Sequence, residues 1–161
     1  MRPFLGKLKS VGLVLAVAAV LPMVGCGPPT GTVTGTVVLK GGPNGDQTLK
    51  GGTITFYSAD GKTVGGQAEI QENGTYKVDK VPAGDSKVVV STEMLNQQGK
   101  GRAGPPPGTK VNPNDPNADP AAKAQARYVA IPLKYADPEQ SGLKFTVKAG
   151  SNTYDPPLTA P

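Results

Sequence analysis

Short alternating apolar runs, each closed by glycine, proline or asparagine, constrain this chain more than any other feature. Val33, Val37 and Leu39 fall on one face of a first strand, with Gly35 between them. Ile54 and Phe56 share a face of the next, with Thr53, Thr55 and Tyr57 opposite. Ala68 and Ile70 suggest a third strand, and Tyr76 and Val78 resume the alternation after the Glu72-Asn73-Gly74 turn. Val81-Pro82-Ala83-Gly84 marks another turn, ahead of the apolar run Val88-Val89-Val90. Leu143, Phe145 and Val147 alternate before Ala149-Gly150, and a weaker strand from Asn152 to Leu158 is cut by Pro156-Pro157. A side-chain period of two belongs to strands with one buried face, and Asn-Gly readily supplies the positive φ of tight turns. The expected fold is all-β: an antiparallel sandwich of about seven strands, with Ig-like or transthyretin-like architecture.

Helical signals are sparse. Ala121–Tyr128 follows Pro120, which suits a first helical position, and predicts one or two turns at most. Residues 97–120 read differently from the rest. They carry Pro105-Pro106-Pro107, further Pro, Asn and Asp residues, and almost no apolar side chains, as expected of a disordered, flexible surface insertion. Without it and its flanks, Gly31–Glu93 and Tyr128–Leu158 hold 94 residues, enough for one small domain. The organisation expected is a leader at 1–25, a tether at 26–30, the sandwich at 31–158 and a tail at 159–161.

The leader is defined by charge and length. Arg2, Lys7 and Lys9 precede the uncharged stretch Val11–Val24, which is followed by Gly25, Cys26 and Gly27-Pro28-Pro29. A basic start, a short apolar core and small residues at the cut make a secretory signal. Fourteen helical residues reach only about 21 Å, short of a hydrocarbon core of roughly 30 Å, so a spanning helix is excluded. Met23-Val24-Gly25-Cys26 resembles the lipobox of bacterial lipoproteins, with Met23 where Leu is usual. The resemblance implies cleavage between Gly25 and Cys26 and attachment of a diacylglyceryl group to the Cys26 thiol. Acyl chains such as palmitate would then hold the protein to a membrane. Gly27, where an inner-membrane retention signal would usually place Asp, leans the expected location toward an outer or surface-facing site of the cell envelope. The alternative is an ordinary secretory signal with an incidental cysteine.

Composition narrows the chemistry. The formal charge of +5 includes the three leader cations, so the chain from Cys26 onward is nearly balanced and carries no basic block for a nucleic-acid partner. Cys26 is the single cysteine and there is no tryptophan, so the core is expected to be aliphatic and free of disulfides. Histidine is absent, which removes a Ser/His/Asp triad, a histidine-ligated zinc and most general-base designs.

Gly35-Thr36-Val37, Gly51-Gly52-Thr53-Ile54-Thr55-Phe56, Asn73-Gly74-Thr75-Tyr76 and Val81-Pro82-Ala83-Gly84 occur in an order that resembles the carboxypeptidase regulatory-like domain, a transthyretin-like sandwich. Asp85-Ser86 departs from the aromatic neighbourhood usual in that family after Gly84. Ile131-Pro132-Leu133-Lys134-Tyr135, Asp137 and Ser141-Gly142-Leu143 look like the C-terminal half of small lipoproteins carrying this domain. The resemblance implies an accessory module, not a peptidase, with the Tyr packing one end of the sandwich.

No spacing among the twelve carboxylates singles out an acid/base pair. Asn112, Asn114, Asp115, Asn117 and Asp119 alternate like calcium ligands, but lack the acidic start, mid-loop glycine and final glutamate of an EF-hand. Tyr128 and Tyr135, which flank Ile131-Pro132, could stack on a sugar or peptide, but are expected to cover a sandwich edge with their hydroxyls in water. No catalytic residue, metal site or cofactor is expected. The expected function is a noncatalytic, lipid-anchored envelope module for binding or structural interaction, with a membrane, an envelope protein or a polysaccharide as partner. The alternative is a carboxylate-dependent or metal-assisted carbohydrate-active protein.

Overall fold

A computed structural model describes residues 28–43, 45–100 and 117–160. Ten strands form in chain order: β1 (Thr30–Thr36), β2 (Val38–Gly42), β3 (Gly45–Thr48), β4 (Thr53–Ser58), β5 (Val64–Glu69), β6 (Thr75–Pro82), β7 (Gly84–Ser91), β8 (Lys144–Val147), β9 (Gly150–Thr153) and β10 (Pro157–Thr159). Two helices, α1 (Glu93–Lys100) and α2 (Pro120–Arg127), and a 3₁₀ turn at Leu133–Ala136 lie between β7 and β8. The strands make sheets of order β6-β1-β9, β10-β2-β3 and β5-β4-β7-β8. One apolar cluster is shared by all three, from Val33 and Leu39 through Ile54, Phe56, Tyr76 and Val88 to Val147 and Leu158. The all-β sandwich expected from the alternation is therefore the fold.

Of the three strands beyond seven, two come from interruptions, and the third, β3, pairs antiparallel with β2 from a stretch, Gly45–Thr48, that has no apolar side chain to announce it. Val37 separates β1 from β2 because its N–H donates to the Gly74 carbonyl at 2.9 Å and its carbonyl accepts from Leu49 at 3.0 Å. Tyr154–Pro156 separates β9 from β10. Pro157 is tolerated because β10 is an edge strand, where a missing N–H costs no ladder bond. The sheets are also not purely antiparallel: β9 runs parallel to β1, and β10 parallel to β2. The same pairing draws Thr159 into β10, and the Ala160 N–H donates to the Lys40 carbonyl at 2.9 Å, so the tail begins later than expected.

Alternation explains burial, and its one lapse explains a bulge. In β6, Tyr76, Val78 and Val81 are buried while Asp79 and Lys80 are both exposed. Opposite them, β1 offers only Thr32 between the pairs Gly31↔Val81 and Val33↔Val78. The extra residue is taken up at Lys80, the one non-glycine with positive φ (59°) among the described residues, and Thr32 Oγ1 donates to Asp79 Oδ1 at 2.9 Å. The turns before and after β6 pass from one sheet to another and are not hairpins between paired neighbours. At the first, Gly74 has φ 81°, and a Cβ there would lie 2.1 Å from Thr48 Cγ2, so glycine is required for the turn and for close approach alike.

The centre of the core is more aromatic than composition suggested. The Phe56 ring lies 6.4 Å from each of Tyr76, Phe145 and Tyr154, and Phe145 and Tyr154 are 4.6 Å apart. Val33, Ile54, Phe56, Val88 and Val90 are fully buried, each contributing about 1.5–3 kcal/mol from burial. Tyr135 is also buried, and its hydroxyl oxygen accepts the Thr159 N–H at 3.0 Å instead of facing water. The β10 edge supplies this partner, a pairing that no local pattern announces.

Candidate binding groove

The sequence between β7 and the 3₁₀ turn builds a small helical pair against one end of the β4–β5–β7 sheet. Asp119 caps α2, its Oδ1 accepting the Ala121 N–H at 2.7 Å, with Pro120 in the first turn. The helix runs two turns, as expected, and buries Ala121, Ala122 and Ala124. α1 was not expected, and it takes up residues 97–100 from the segment read as flexible. Glu93, Met94, Leu95, Gln97 and Gln98 are good helix formers, and Glu93 suits the positive end of the helix. Eight residues alone make a marginal helix, and packing of α1 on α2 supplies what propensity lacks. The Thr92 hydroxyl, just past the end of β7, ties down the segment that follows α2, donating to the Val129 carbonyl at 2.9 Å.

Between this pair and the sheet lies a groove of about 730 Å³. Its floor is the outward face of β4 and β5, with Thr53, Gln67 and Glu69. Met94 and Leu95 of α1 and Lys123 and Arg127 of α2 form the walls. Met94 is 62% exposed, an unusual setting for a large apolar side chain. Leu95 and Arg127 approach because residue 51 is glycine; a Cβ there would come within 2.9 Å of Leu95 Cδ1.

Arg127 is the electrostatic hinge of the site. Its guanidinium pairs with the Glu72 carboxylate, both half-buried, tying α2 to the β5–β6 turn. Its Nε–H is buried without a hydrogen-bond partner. The groove therefore offers amide, cationic and thioether surface side by side, a set suited to holding a ligand. Among the described residues, no three or more Asp, Glu, His or Cys gather where they could hold a metal ion.

Other charged groups have local partners. Asp60 Oδ1 accepts from the Ser58 hydroxyl and the Lys62 N–H, which together hold its carboxyl below the usual range. Asp79 is lowered in the same way by Thr32 and Lys77. Lys87 pairs with Glu139 at 2.6 Å beside a second hollow of about 370 Å³ lined by Asp85, Lys144 and Phe145.

Gly25 and Cys26 lie outside the described residues, as do Asn112, Asn114 and Asp115 of the alternating polar segment. Of that segment, Asp119 serves as a helix cap. Asn73 Oδ1 accepts the Thr75 N–H at 3.0 Å, so the Asn-Gly-Thr triplet is a turn in structure as in sequence. The groove residues Met94, Leu95, Lys123 and Arg127 went unread because they flank the segment whose composition suggested an unstructured loop. No family model, curated protein or solved structure matches this chain. No helix among the described residues is long and apolar enough to cross a membrane.

Proposed function

We propose that this protein is a lipid-anchored, noncatalytic module of the cell envelope that binds a partner in the groove between its sheet and its helical pair. The anchor half of the reading rests on the apolar run Val11–Val24 leading into Met23-Val24-Gly25-Cys26. The binding half is carried by one observation: an exposed Met94 and the cationic side chains of Lys123 and Arg127 line the 730 Å³ groove together. That combination favours an envelope protein segment over a polysaccharide. A sugar ring usually stacks on an aromatic face, whereas none of the described residues that line this groove is aromatic. The carboxypeptidase regulatory-like family remains our proposal for the sandwich on the order of its motifs. The carbohydrate-active alternative would have to draw on Glu69 and Glu72, which border a hollow beside Arg127, and the ion pair already engages Glu72.

Two experiments test the halves separately. Cys26→Ser should move the protein from the membrane fraction to the soluble one; retention in the membrane would sink the lipid anchor. Met94→Asp should abolish capture of a cross-linked envelope partner by the anchored protein while leaving its unfolding midpoint unchanged. Undiminished capture would remove the groove from the binding site.

A further inference from the structure

The point at which the chain enters the sandwich has a geometric consequence. The Ala83 N–H donates to the Pro29 carbonyl at 2.8 Å, and Thr30 pairs with Pro82. Gly31 pairs with Gly150, Gly84 with Val147, and Ser58 with Ser86. These registers put the entry of β1, the turn around Gly61, the turn at Ala83 and the turn at Ala149 at one end of the molecule. The groove lies at the other: Thr53 and Glu69, opposite each other across β4 and β5, sit at the far ends of those strands.

We infer that this end of the sandwich, carrying Lys62, Ala83 and Ala149, is the surface that meets the bilayer headgroups, and that the groove is held away from the lipid. The inference rests on the lipid-anchor reading of Cys26. Pro29 follows Cys26 by three positions, so the first bonded residue lies at most about 11 Å from the acylated one. Pro28 and Pro29 have fixed φ and leave that tether little slack. Six strand residues at about 3.3 Å each lift the groove roughly 20 Å above the turn at Gly61. The near end itself is built to stay in place. Gly61 N–H donates to the Ser58 carbonyl at 2.8 Å, and Asp60 bridges Ser58 and Lys62. Its exposed charges are of both signs, Asp60 and Asp85 against Lys62 and Lys148, so the tether and not a basic patch sets the orientation.

Cys26 is the single cysteine and its thiol carries the lipid, so one introduced cysteine in the lipidated protein is labelled uniquely. Lys62→Cys and Ala149→Cys at the near end, and Gln71→Cys and Asn73→Cys at the far end, would each carry a fluorophore. The proteins are bound to phosphatidylcholine vesicles with a nitroxide on the headgroup. Quenching should be several-fold stronger at 62 and 149 than at 71 and 73, and should persist at high salt. A long flexible Gly/Ser insert after Gly27 should level the two ends. Equal or reversed quenching in vesicle-bound protein overturns the orientation, as does a difference that survives the insert or vanishes in salt. Protein that does not float with vesicles, and whose mass lacks the lipid, overturns the anchor reading and this inference with it.

Discussion

The Tyr76 hydroxyl donates a 2.5 Å hydrogen bond to the Tyr154 carbonyl. Tyr76 stands on β6 and Tyr154 directly follows β9, the two strands that flank β1 on either side. The bond therefore closes the sheet across its central strand, at the height where Tyr76 pairs with Gly35. It also stops β9, because the carbonyl that turns toward Tyr76 belongs to the break between β9 and β10.

Removing that donor should be costly for so small a change. Tyr76→Phe keeps the ring against Phe56 but leaves a part-buried carbonyl unpaired, which costs about 1–2 kcal/mol. Urea unfolding should show a lower midpoint with an unchanged slope; an unaltered midpoint would mean water replaces the hydroxyl freely.

Gly35→Ala should destabilise by a similar or larger amount. A Cβ at position 35 would lie 1.9 Å from the Tyr154 carbonyl oxygen, a backbone atom that cannot swing aside. Forced overpacking of this kind costs about 1–3 kcal/mol. The loss should be less than additive with Tyr76→Phe, since both act on one carbonyl. Full additivity in a double-mutant cycle would separate the two effects.

Stability should fall at alkaline pH. Burial raises the Tyr154 hydroxyl from 10.0 to about 12, and raises Tyr76 further, with Tyr154 and Asp155 adding to the rise. The folded state thus holds these protons more tightly than the unfolded state. Their contribution is complete below the unfolded value of 10.0 and is lost as pH climbs from there through the folded values. Denaturant midpoints measured from neutral to strongly alkaline pH should be level up to about 9 and decline beyond 10. Tyr76→Phe should show a shallower decline, and a flat profile in the parent protein would contradict the burial argument.

Asp119→Ala should loosen the helical pair more than the sandwich. Loss of the cap on α2 costs about 1 kcal/mol and frees the Ala121 N–H. Amide exchange should quicken in α2 and at Leu95 while β4 and β7 keep their protection. Uniform acceleration would show that the helices and sheets unfold as one unit.

The strands were legible because their signal is local. Ile54 and Phe56, Tyr76 and Val78, and Phe145 and Val147 are each two positions apart, and that spacing settles which face is buried whatever the partner strand. Gly74 was legible as a turn for the same reason. The bulge at Lys80 left a faint mark: Asp79 and Lys80 both stand between Val78 and Val81, where a single residue was due. α1 was hidden because its residues carry no helical stripe and its stability comes from α2. The composition of the segment joining the helices masked the flanks that build the groove.

By itself, the sequence determined the all-β class, the buried face of the strands that alternate clearly, most places where the chain must turn, and the absence of histidine and of a second thiol that narrows its chemistry. Each follows from residue type and short-range spacing, which act before any distant partner is chosen. Only the tertiary structure decided that β9 and β10 run parallel to β1 and β2, that Tyr135 turns inward to Thr159, and that Met94 and Arg127 share one groove. Those outcomes depend on pairings across long stretches of chain, where packing and backbone hydrogen bonding outweigh a local preference worth at most about 1 kcal/mol per residue.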